Sequence, residues 1–202
     1  MRTVIFGFVT ASIVVGLSGV ASASISTDPV TGNQFEAVSA PDGITWDAAN
    51  SDAIAAGGFL AVIPDLETDQ FVSSLVTDPG LWSGSGLGPW LGGYAGNPPV
   101  NTEVWTWSNG QPFAYTQWQS GQPDNVGGTP QGILLWNGGS GPAATDNWGD
   151  YGTSGEAGLN GELPTGYVVE FNPVPEPATL IVWSLLGGVA VTLGWWRRRS
   201  AA

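Results

Sequence analysis

Three textures of apolar residue follow one another along the chain. Met1 to Ala23 is an apolar run (VIFGFV, ASIVVGL) with one early arginine, Arg2, and it ends in the small residues ASA. A charged start, an apolar middle and an A-x-A ending form the pattern of a secretory signal peptide, cleaved after Ala23. The second texture is helical. In ITWDAANSDAIAAGG, starting at Ile44, Trp46, Ala49, Ala53 and Ala56 recur at intervals of three and four and so share one helix face. Thr45 is the expected N-cap and Gly57-Gly58 the expected stop. FLAVI, from Phe59 to Ile63, reads as a short apolar strand. Pro64 and Asp65 then open a second helix, DLETDQFVSSLV, whose expected core residues are Leu66, Phe71, Leu75 and Val76. Asp65 and Glu67 in its first turn suit the positive end of the helix dipole.

After Asp78 comes the third texture. Short apolar or aromatic runs (PWLGGY, VWTWS, ILLW) alternate with loops rich in Gly, Asn, Pro and Ser, and YVVEF, Tyr167 to Phe171, closes the series. Helices early and strands late predict an α+β domain. Beyond it, Ala178 to Trp196 carries no charge, and a helix of that length at about 1.5 Å per residue crosses a bilayer core of about 30 Å. Trp195 and Trp196 stand where interfacial aromatics belong, and Arg197, Arg198 and Arg199 would remain cytoplasmic. The segment predicts a transmembrane helix with a basic tail.

Charge sharpens this division. The net charge is −13, and all four arginines lie in the two terminal segments. The body between them, roughly 24–172, contains no Lys, Arg, His or Cys. It cannot neutralise phosphates, which excludes nucleic acid as a partner. Without His or Cys it has no Ser-His-Asp triad, no Cys nucleophile and no typical zinc site. Carboxylates, amides, hydroxyls and aromatics remain, and oxygen-liganded calcium is the metal that suits them. The same acidity could equally serve solubility alone. An exported domain with no disulfide must draw its stability from its core, and eight of the eleven Trp lie in this body, which argues against disorder.

The C-terminal segment 174–202 resembles a PEP-CTERM sorting signal, with Pro175-Glu176-Pro177, an apolar helix and an arginine cluster in order. That resemblance implies a bacterial protein processed by an exosortase-type enzyme and delivered to the cell surface or extracellular matrix. The body, 34–172, resembles the C-type lectin-like domain. The residues that carry the likeness are the two helical segments with FLAVI between them, WLGGY, WTWSNGQPFAYTQWQSGQPDN, DNWGDY and GYVVEF. The resemblance implies two helices plus antiparallel strands with long irregular loops. It also implies a long-range disulfide whose positions here are Ala53 and Val169, both apolar, so packing would have to replace a bridge typically contributing about 2–4 kcal/mol.

In sugar-binding members of that family, the residues either side of a proline, commonly cis, bind calcium. Here they are Gln122 and Asp124. The family's next acidic ligand falls near Gln131, and its W-N-D element reads Trp148-Gly149-Asp150. A charge and a ligand are therefore lost, and a weakened site is implied, held by Gln122, Asp124, Gln131 and Asp150. Asn125, Asp146 and Asn147 are the additional candidate ligands, and Trp148 could stack on a sugar ring. Gln-Pro-Asp in place of Glu-Pro-Asn resembles the galactose-type version of the motif. Two functions follow: a glycan-binding surface or matrix lectin using calcium, or a calcium-independent structural or protein-binding module. GQPD is also a tight turn in its own right, with Trp118 as its anchor. A glycosidase would need a carboxylate pair about 5–5.5 or 6.5–9.5 Å apart. Asp146 and Asp150 are the nearest candidates, but nothing in their spacing demands that role, and no catalytic residue is expected.

Overall fold

The computed structural model describes residues 24–96, 104–126, 128–139, 145–155 and 161–173. Ala23, Pro175, Glu176, Pro177 and the apolar run 178–196 lie outside the described residues. Among the described residues no helix is long and apolar enough to cross a membrane.

The elements in chain order are β1 (Ser26–Thr27), β2 (Gln34–Ser39), α1 (Trp46–Ala55), β3 (Phe59–Leu60), α2 (Leu66–Leu75), β4 (Leu87–Ala95), β5 (Thr106–Trp107), β6 (Gln131–Trp136), β7 (Trp148–Gly152) and β8 (Gly166–Phe171). Strands therefore precede the helices as well as follow them. The sheet runs β1-β2-β8-β4-β6-β7, with β3 on β8 and β5 on β4. Its first and last long strands pair over six residues, Gln34↔Phe171 to Ser39↔Gly166, which closes the domain on itself. The pairings are antiparallel as expected, with one addition: β4 meets β8 in parallel at Trp90↔Tyr167, which makes the sheet mixed.

The first helix starts at its expected cap, and the second starts one residue after Asp65, which serves as its cap and not as part of its first turn. The Thr45 side chain accepts from Ala48 N, and the Asp65 carboxylate accepts from Thr68 N at 2.9 Å. Trp46, Ala49 and Ala53 are buried as expected, whereas Ala56 is the exposed C-cap. In α2 the buried face is shifted. Leu66 is 49% exposed, Phe71 and Leu75 are half-buried, and the inward positions are Thr68, Asp69 and Val72, with Val76 just beyond. The apolar count misplaced this face because two of its inward residues are polar. FLAVI is strand only at Phe59 and Leu60; Ala61 N still donates to Val168 O at 2.8 Å, and Val62 and Ile63 are buried beyond the strand's end.

The sheet buries a different core on each side. One holds Trp46, Ala49 and Ala53 of α1 against Leu60, Trp90, Tyr167 and Val169. Ala53 and Val169, at 0% and 1% exposure, fall in this one cluster, so packing occupies the place of the implied bridge. Gly132 makes room for it, since a Cβ there would lie 2.5 Å from the Trp46 ring. The other side gathers Phe35, Val72, Trp107, Ile133, Trp148 and Val168, and the long loop before β6 packs onto it.

Candidate functional site

The loop is fastened first by aromatic rings. Trp148, the first residue of β7, is fully buried. Around it stand Trp107 at 5.8 Å, Tyr115 at 5.6 Å and Trp118 at 5.8 Å, all near 80° to its plane, with Phe113 at 6.5 Å. Edge-to-face pairs of this kind add about 0.5–1.5 kcal/mol each beyond their burial. Backbone bonds run alongside: Trp148 N donates to Gln117 O at 2.7 Å, and Gln119 N to Trp148 O at 2.8 Å. Trp148 is thus a pin for the loop. Its expected role as a stacking surface for sugar is corrected, because its ring has no face left for a ligand.

Beneath the pin lies a carboxylate that sequence reasoning missed. Asp69 of α2 is buried and accepts from Trp148 Nε1 at 3.2 Å and from the Tyr115 hydroxyl at 3.1 Å. Those bonds favour the anion, but burial outweighs them and pushes the carboxyl up to about 7. Burial and the Asp69 charge together raise the Tyr115 hydroxyl. The signal in the sequence was helical spacing: Asp69 lies three and seven residues before Val72 and Val76, on their face.

Beyond Trp118 the chain turns into the segment Gln122 to Asn125. The Gln122-Pro123 bond is cis. Gln122 Oε1 accepts from Asp150 N at 3.2 Å. In return the Asp150 carboxylate accepts from Asp124 N at 2.9 Å through one oxygen and from Asn125 N at 2.7 Å through the other. These three reciprocal bonds clamp the loop to β7. Burial raises Asp150, while the two backbone donors oppose the shift. Asn125 is buried at φ 44°, a left-handed conformation that Asn tolerates better than most residues.

Gln131 joins from β6. Ile133 pairs with Asp150 and Gln131 with Gly152, so Gln131 and Asp150 are diagonal neighbours on one sheet face. Gln131 is fully buried. Its Nε2 donates to Thr129 O and Oγ1, while its Oε1 has no hydrogen-bond partner among the described residues. The structure therefore bonds Gln122, Asp124, Asn125 and Asp150 to one another and sets Gln131 diagonally across from Asp150 in the sheet. It does not bring Asp146 or Asn147 to them. Asn147 donates back to Thr145 Oγ1 at 2.9 Å, and Asp146 acts electrostatically on Asp69 and Tyr115. The missing Asn of the W-N-D element also has a steric reason. A Cβ on Gly149 would lie 2.7 Å from the Trp136 ring and 3.1 Å from its Cβ.

The sheet order, the two helices and the looped-out aromatic segment define the C-type lectin-like fold. A calcium-independent type II antifreeze protein of known structure superposes with a TM-score of 0.53 at 19% identity, covering 76% of this chain and 94% of that one. In sequence, the chain is similar to ladderlectin of Oncorhynchus mykiss, 26% identical over 122 residues, 60% of this chain and 55% of that protein. It is also similar to the galactose-specific lectin nattectin of Thalassophryne nattereri, 35% identical over 79 residues, 39% of this chain and 46% of the relative. The chain thus spans about half the length of these curated relatives. No protein-family model matches it.

Proposed function

We propose that the protein is an exported, glycan-binding C-type lectin-like module that acts by binding and not by catalysis, with the loop Gln122 to Asn125 and Asp150 as its ligand site. The observation that carries this reading is the clamp, in which the Asp150 carboxylate and the Gln122 amide oxygen hold the turn Gln122 to Asn125 against β7. The galactose-specific relative and the Gln-Pro-Asp order both support a neutral hexose as ligand.

The residues fit a weakly held calcium ion. Asp124 and Asp150 supply two charges, Gln122 and Gln131 neutral oxygens, and Gln131 Oε1 is a buried acceptor still lacking a donor. The Asp150 oxygens and Gln122 Oε1 already accept from N–H groups, yet each such oxygen retains a second lone pair. Calcium takes 6–8 oxygens, and affinity follows ligand charge, so two carboxylates imply the millimolar class. When bound, the ion would supply a positive centre shared with vicinal sugar hydroxyls. The chain's own residues orient the site: Asp150 fixes the backbone after Pro123, and Gln122 fixes β7 in turn. The Asp124 carboxylate, whose residue is exposed, faces solvent chemistry.

The terminal segments complete the proposal. Cleavage after Ala23 would release the body outside the membrane. The helix 178–196 would anchor it until an exosortase-type enzyme of a bacterial host processed the chain near Pro175-Glu176-Pro177. The mature module, 34–172 with its flanks, would then reside on the cell surface or in the extracellular matrix.

A glycan array probed with the full chain, in calcium and in EDTA, tests the reading. Galactose-type glycans should bind, with signal reduced several-fold by EDTA and in Asp124→Ala. Absence of any glycan signal in both conditions would favour the second reading, a calcium-independent structural or protein-binding module. One observation supports that alternative: the clamp is complete through protein hydrogen bonds alone.

A further inference from the structure

A cavity of about 290 Å³ opens between the start of α1 and the end of β7. It is lined by Asp47, Tyr94, Thr129, Pro130, Thr153 and Ser154, with Gly155 at its edge. Its walls are tied to one another. Trp46 N donates to Thr153 O at 3.0 Å, and Thr153 N donates to Pro130 O at 3.0 Å. Tyr94 is fixed in β4 opposite Gly132, and its ring rests 5.1 Å from buried Trp46 at an interplanar angle of 33°. The cavity is therefore backed by core residues and joined across three elements.

We propose that this cavity is a second saccharide subsite, taking one neutral pyranose ring without a metal ion. A pyranose carries an apolar patch of C–H groups and a rim of hydroxyls. Tyr94 supplies the aromatic surface for the first. The Asp47 carboxylate accepts hydrogen bonds from adjacent hydroxyls, and charge-assisted bonds are the stronger kind. The Ser154 hydroxyl serves as either donor or acceptor, and the Thr129 hydroxyl, which accepts from Gln131 Nε2 at 3.1 Å, keeps its proton to donate. The volume lies just below the range for small-ligand pockets, roughly 300–1,000 Å³, which restricts occupancy to about one ring. Anionic sugars are excluded, since the body carries no Lys, Arg or His to meet their charge.

The subsite uses no calcium, so it is tested in EDTA. Saturation-transfer NMR on the full chain in mild detergent would use the methyl pyranosides of glucose, galactose, mannose and N-acetylglucosamine as probes. At least one should receive saturation. Tyr94→Ala should cut that signal about tenfold, and Tyr94→Phe should largely keep it. Because Tyr94 packs on Trp46, Asp47→Ala at an exposed position is the variant that leaves the fold intact, and it should weaken binding several-fold. No transfer to any of the four sugars would overturn the subsite, as would transfer unchanged in Asp47→Ala.

Discussion

The two sides of the sheet solve different problems. The α1 side is apolar at its centre: Ala49, Ala53, Leu60 and Val169 pack closely enough to stand where a disulfide is implied. The loop side buries Asp69, Asp150 and Glu170, each held above the ordinary carboxylate range chiefly by burial. Each of those acids accepts hydrogen bonds that fasten an irregular segment. Asp69 holds the aromatic pin and Asp150 the cis-proline loop, while Glu170 takes Val62 N and Asn33 Nδ2. One side maximises packing, and the other spends stability on fixing a loop that could bind something. Buried charge is a costly way to hold a fold, so its concentration on the loop side points to function there.

Removing the pin should break the contrast most severely. Trp148→Ala deletes a fully buried indole and four aromatic contacts, and should cost about 3–5 kcal/mol in chemical denaturation.

Acidity comes next. Asp69 and Glu170 titrate near 7 when folded and near their ordinary values when unfolded. Between those limits the folded state holds more protons, so stability falls as pH rises, by about 1.4 kcal/mol per pH unit for each group. Their contribution is complete below the unfolded values and lost above about 7. Melting temperature should therefore be higher at pH 5 than at pH 8. Relief of repulsion in a chain of net charge −13 acts in the same direction, but Asp69→Asn should flatten the slope, whereas charge neutralisation at the exposed Asp47 should leave it in place.

Smaller effects sharpen the comparison. Asp150→Ala leaves two backbone donors without their acceptor and should cost about 2 kcal/mol, read by thermal melting. Gly149→Asn restores the family's residue, but it meets the Trp136 ring. It should lose about 1 kcal/mol and show no gain in calcium affinity by calorimetry.

Much of this was legible in the sequence where local rules apply. The Thr45 N-cap, the Trp46-Ala49-Ala53 face and the closing strand follow from spacing and capping chemistry. The Gln122-Pro123-Asp124 turn was legible as a turn, and the structure bonds it to Asp150. What escaped has a common cause. β2 is defined by its distant partner β8, and β7 reads WGDYG, with two glycines and an acid instead of alternating apolar residues. The α2 face was misread because its inward residues include Thr68 and Asp69. Trp148 sits among polar neighbours in sequence, and only the rings of Trp107, Phe113, Tyr115 and Trp118 turn it into core.

The central claim is that Asp150 holds the cis-proline loop through protein bonds, before any ion arrives. Amide hydrogen exchange at Asp124 and Asn125, measured in EDTA on the wild type and on Asp150→Ala, tests it directly. Both amides should be protected in the metal-free wild type and should exchange at least tenfold faster in the variant. Fast exchange in the wild type until calcium is added would contradict the account and make the ion, not Asp150, the element that shapes the loop.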